Sequence, residues 1–151
     1  VADQVLGKRI LEFRGKTIDI NPPWQRLELR QGIINTTGID INAFPTAEGL
    51  EGAMKEKGYP FKPGSPRGKL VDALIGDYLE PTLLQPTFLY DYPRDISPLA
   101  KSKPGDSSTV ERFEGFIAGM ELSPQKARIL LMLGLTKTGE AKKLQQYFYE
   151  Y

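Results

Sequence analysis

The chain has 151 residues, 20 Lys+Arg against 19 Asp+Glu, and neither cysteine nor histidine. That composition excludes disulfide frameworks, thiol nucleophiles, zinc ribbons and histidine bases, and leaves carboxylates, Lys/Arg, hydroxyls and backbone groups for chemistry. A formal net charge of +1 argues against a nucleic-acid binder that relies on a broad basic field, and no run approaches the roughly 18 apolar residues of a membrane span.

Nothing in Val1 to Lys8 reads as a signal peptide, so cytoplasmic residence is the expectation. The opening Val1 in place of methionine suggests an excised or trimmed start. One domain over 1–151 is expected at this length. In chain order, Ile10 to Phe13 and Thr17 to Ile20 alternate around Gly15-Lys16 and predict a β-hairpin, ended by Pro22-Pro23. A short run from Trp24 to Leu27 leads into a predicted helix from Glu28 to about Thr36, stopped by Gly38. Thr46 opens a second helix that carries Leu50 and Met54 and ends at Gly58-Tyr59-Pro60. A turn-rich loop, 62–68, precedes a third helix with Leu70, Leu74, Ile75 and Tyr78 on one stripe, running to about Glu80.

Pro86 to Pro93 predicts a strand bounded by prolines, followed by a polar loop in which Lys101 to Ser108 is the expected mobile segment. The periodicity of Val110 to Leu122 fits strand or helix, and the interior Gly115 and Gly119 favour strand. Ser123-Pro124 begins another helix, and Leu144, Tyr147, Phe148 and Tyr151 form the stripe of a last one.

Two short motifs have structural readings. Gly64 to Leu70 is not a phosphate-binding loop, because its glycines are one residue too close and Leu70 stands where a hydroxyl must ligate magnesium. Asn35-Thr36-Thr37 matches a glycosylation acceptor but reads as a helix end. The cluster Phe88, Tyr90, Tyr92 reads as core. Glu114 and Glu121 interrupt an apolar strand, and a carboxylate among apolar neighbours costs several kcal/mol unless a cation, metal or donor compensates it. Arg112 or a lysine such as Lys101 is the structural explanation, and a metal or nucleotide role is the other.

Three blocks carry a resemblance: Leu84-Gln-Pro-Thr-Phe-Leu-Tyr-Asp-Tyr-Pro93, Ser97-Pro-Leu-Ala-Lys101, and Glu111-Arg-Phe-Glu-Gly-Phe-Ile-Ala-Gly-Met-Glu-Leu122. In this order and spacing they resemble the catalytic domain of bacterial-type class II lysyl-tRNA synthetases. Pro23 to Leu27 and Thr37 to Asp40 resemble the segment between that family's second and third signature motifs. Clear resemblance runs over 7–125, with a divergent helical tail over 126–151. The aspartyl and asparaginyl enzymes share the Asp-Tyr-Pro strand but have Pro-Phe-Tyr where this chain has Pro98-Leu99-Ala100.

The resemblance implies an α+β fold: a small antiparallel sheet from the hairpin, the Thr87 to Tyr92 strand and the Val110 to Leu122 strand, with helices on one face. It also implies ATP-dependent activation of lysine and transfer to tRNA. Glu121 stands at the position of the family's ATP–magnesium carboxylate, whereas no catalytic residue is assigned. The three signature motifs have no match here, nor does the anticodon-binding domain, and the second magnesium carboxylate is deleted after Leu122. The expectation is therefore a fragment or shortened relative, not competent alone, with weak or absent binding of magnesium, ATP and lysine. Self-association or a partner chain is expected from its unpaired surfaces. The alternatives are a noncatalytic protein- or RNA-binding module and an aspartyl- or asparaginyl-like amino-acid-binding paralogue.

Overall fold

Arg14 and Gly15 both take positive φ, 48° and 74°, the two-residue turn whose twist matches a β-ribbon. They close the expected hairpin, β1 (Ile10–Phe13) antiparallel to β2 (Lys16–Asp19), in the computed structural model, which describes residues 9–122. The hairpin does not join the main sheet, contrary to the expectation. Pro22 and Pro23 lack the N–H groups that would carry a ladder onward. The link is instead a side chain: Gln85 accepts from the Asp19 N–H at 3.0 Å and donates to the Thr17 carbonyl at 3.0 Å.

The main sheet has the order β3 (Gln25–Glu28), β4 (Thr87–Pro93), β6 (Asp106–Ile117), β5 (Ser102–Lys103), with β7 (Met120–Glu121) also on β6. It is not wholly antiparallel, because β3 runs parallel to β4. Parallel neighbours need a long crossover, and the three helices supply it. Helix α1 (Leu29–Thr37) ends at Gly38, whose left-handed φ of 67° lets its N–H reach the Ile34 carbonyl at 2.8 Å. The Thr36 and Thr37 hydroxyls bond back into the same last turn, which settles Asn35-Thr36-Thr37 as a helix end. Helix α2 (Ala47–Glu56) is capped by Thr46, which accepts from the Gly49 N–H at 3.1 Å.

Helix α3 (Arg67–Leu74) stops short of the predicted Glu80. A π turn, Ile75–Leu79, and a 3₁₀ turn, Glu80–Thr82, follow, consistent with Pro81 having no N–H to continue a regular helix. The loop before α3 is structural, as predicted. Arg67 donates to the Phe44 and Ile41 carbonyls and pairs with Asp95, while the Gly64 N–H donates to Glu51. Gly68 permits this seating, since a Cβ there would come within 2.9 Å of the Asp95 carbonyl oxygen.

Helix α1 lies on one face of the sheet, and α2 packs on α3 beside it. Leu29, Ile33, Leu50, Met54, Leu70 and Leu74 form one core with Leu89, Tyr92, Val110 and Phe116 from the strands. Helices on one face is thus the observed α+β arrangement.

Two further expectations are corrected. Lys101 to Ser108 is not a free loop. Pro104-Gly105 turns the chain, with Gly105 at φ 79°, and β5 pairs with the start of β6. Val110 to Leu122 is not one strand either: Ala118 and Gly119 take φ of 56° and 75°, and β7 folds back on β6 with Phe116 opposite Glu121. The helices and stripe predicted after Ser123 lie outside the described residues.

The β5–β6 turn yields a pH prediction. Hydrogen bonds from the Ser108 hydroxyl at 2.6 Å and N–H at 2.9 Å hold the Asp106 carboxyl down to about 2. The folded value lies below the unfolded one, so this contribution is fully present above about pH 4. It is lost as pH falls towards 2. An NMR titration of Asp106 should show that low midpoint, and a midpoint near 4 would refute the turn geometry.

Candidate functional site

Register assigns every strand residue to a face. Gln25, Thr87 and Phe116 share one row, as do Leu27, Leu89 and Glu114, and both rows face the helices. The alternating rows, Arg26 with Phe88 and Gly115, then Glu28 with Tyr90 and Phe113, face the other way. Because Glu121 stands opposite Phe116, it lies on the helix-facing side with Glu114. On a continuous strand positions 114 and 121 would fall on opposite faces. The Ala118-Gly119 turn brings both carboxylates to one face, which periodicity alone does not reveal.

Around Glu114 the side chains form one connected group. Arg112, two residues earlier on the same strand, pairs with Glu114 and donates to the Ser97 hydroxyl. The Tyr92 hydroxyl donates to the other Glu114 oxygen at 2.7 Å, and the Arg112 guanidinium lies over the Tyr92 ring at 4.6 Å. Burial raises the Tyr92 pKa well above the ordinary phenol value, and the Glu114 bond adds to it. Tyr92 is therefore a permanent donor. The bulge at Asp91, φ 61°, shifts the β4–β6 register between Tyr90 and Tyr92.

Arg112 is thus the cation expected beside Glu114. Lys101 pairs with Glu111 at 2.9 Å instead. The half-buried Glu121 is a second negative charge near the group, and its field also raises the Tyr92 value. Of the aromatic trio read as core, only Tyr92 is buried there, while Phe88 and Tyr90 lie on the opposite face. Two open clefts of about 340 and 420 Å³ lie beside Gln25 and Gln85, and neither is lined by Glu114 or Glu121.

Glu114 and Glu121 supply two carboxylates on one face, and no cluster of three or more potential metal ligands occurs among the described residues. Such a pair fits magnesium, which keeps several waters and takes one or two carboxylates plus substrate phosphates. No described helix is long and apolar enough to cross a membrane.

No protein-family model matches the chain. Curated relatives do match, and they are tRNA ligases, so the chain is similar to one stretch of such ligases. The particular kind is lysine–tRNA ligase. That of Dehalococcoides mccartyi is 43% identical over 123 residues, 82% of this chain and 25% of the relative. Those of Moorella thermoacetica, 42% identical over 123 residues (82% of this chain, 25% of the relative), and Nostoc punctiforme, 41% over 122 (80% and 22%), agree. The chain spans about a quarter of the length of the curated relatives it matches.

Proposed function

We propose that this chain is the part of a class II lysine–tRNA ligase catalytic domain that carries two strands of the adenylation site. The observation that carries the reading is the 43% identity to a lysine–tRNA ligase over 82% of the chain. The common facing of Glu114 and Glu121 supports it. In the proposed reaction the lysine carboxylate attacks the α-phosphorus of ATP in line and expels pyrophosphate, and the resulting adenylate passes lysine to tRNA. Magnesium, when bound, offsets the phosphate charge. Glu121 would hold it together with Glu114, and the Arg112–Tyr92 pair would fix the Glu114 carboxylate without needing a covalent nucleophile.

The test is Glu121→Gln, followed by NMR of the β6–β7 amides during titration with magnesium and ATP at millimolar concentration. In the native sequence the shifts should centre on Glu114 and Glu121, and the variant should abolish them while changing stability by less than about 1 kcal/mol. A large loss of stability would make Glu121 a structural residue. Shifts elsewhere on the sheet would move the site.

A further inference from the structure

The hairpin β1–β2 is a sheet of its own, and two side chains of the main body reach its backbone. Lys16, Ile18 and Ile20 turn their backbone groups towards β1, since the Ile20 N–H donates to the Arg9 carbonyl at 2.8 Å. Backbone groups alternate along a strand, so those of Thr17 and Asp19 point outwards. Gln85 meets both of them. Its carboxamide offers a donor and an acceptor as a peptide unit does, and it occupies the outer edge of β2 in place of a neighbouring strand. The second contact is the Trp24 indole N–H, which donates to the Ile20 carbonyl at 3.2 Å.

Contacts of this kind open readily. The two Gln85 bonds are exposed to solvent, and a bond that water can replace has only a modest net worth. Ile18 is buried, at 2% exposure, yet it is not among the residues of the main core, so moving the hairpin leaves that core closed. Beside the latch lies the cleft of about 340 Å³, whose walls come from both sides. Asp19 and Asn21 stand at the end of the hairpin, and Trp24, Gln85 and Pro86 on the body.

We propose that the hairpin is a flap latched by Gln85. It swings as one unit about the residues between Asp19 and Gln25, and the cleft widens when the carboxamide exchanges its two bonds for water. With φ fixed at Pro22 and Pro23, few torsions remain to turn, so the motion is a directed swing and not a general loosening.

Hydrogen exchange in the 151-residue chain tests this, because the two contacts depend on different residues. In the native chain the Asp19 N–H and the Trp24 indole N–H should exchange through the same opening, ahead of the Ile18 amide, which stays within the hairpin. Gln85→Ala should raise the open-to-closed ratio roughly tenfold, the worth of two exposed hydrogen bonds. The Trp24 indole N–H, whose own partner is untouched, should then exchange faster by that factor, while Ile18 and the β6 amides keep their native rates. Faster exchange at Asp19 alone would overturn the proposal, since Gln85 would then be a cap on one N–H and not a latch. Acceleration of Ile18 along with Trp24 would also overturn it, because the hairpin would be unfolding and not swinging. Should Gln85→Ala fail to fold, the native comparison decides: unequal opening ratios at Asp19 and Trp24 refute a single flap.

Discussion

Lysine-dependent exchange of pyrophosphate into ATP by the 151-residue chain is expected to stay at the level of a buffer control. The developing charge on the phosphates needs preorganised cations, and Arg112, Arg67 and Lys101 are committed elsewhere. Arg112 is held by Glu114 and Ser97, Arg67 by two backbone carbonyls and Asp95, and Lys101 by Glu111. On the proposed class II reading, the arginines that grip ATP belong to signature motifs with no match in this sequence. Removing one preorganised electrostatic group costs about 10² to 10³ in rate, roughly 2.7 to 4 kcal/mol. Two such losses, even when far from additive, leave little of the advantage. Two carboxylates facing a triphosphate, with the neighbouring Arg112 already paired to Glu114, also disfavour binding, so affinities for ATP and lysine should be no better than millimolar. Robust exchange by chain free of host ligase would overturn this and show that other cations had taken over the phosphate contacts.

Leu89→Ala is the substitution expected to damage the fold most. Leu89 is fully buried at the middle of β4, in the row of Leu27 and Glu114 and under the helices. Its truncation removes apolar contacts and leaves a cavity between two layers, a loss of about 2 to 5 kcal/mol. For a domain of this size that lowers the melting temperature by roughly 4 to 20 °C. Leu99→Ala is the control, because Leu99 is 99% exposed and should change stability negligibly. A thermal melt of Leu89→Ala within 2 °C of the native chain, or about 0.5 to 1 kcal/mol, would sink the assigned facing of β4.

The local part of this fold was legible because single residues carry it. Gly38 with its positive φ, Thr46 with its cap bond and Gly105 in its turn each act within a few positions. Periodicity likewise located α1, α2 and β4 to within a residue or two. The misreadings arise where the deciding contact is distant or where one turn changes parity. Lys101 to Ser108 looked like a loop because its polar residues show no apolar alternation, yet Ser102 pairs with Val110. The common face of Glu114 and Glu121 depends on Ala118 adopting a left-handed φ of 56°, which an alanine does not advertise. The Arg112–Glu114 partnership was legible in identity, although the two residues share a strand.

The parallel pairing of β3 with β4 also fixes an order of assembly. Gln25 and Thr87 are 62 residues apart in sequence, and everything between them must be arranged before their backbones can meet. Closing so long a loop costs entropy that no local contact repays. β4, β5 and β6 join through shorter separations and can pair without β3. That strand should therefore be the last to dock during folding and the first to detach in partial opening, with amides of Gln25 to Glu28 exchanging with solvent ahead of those in β4 and β6.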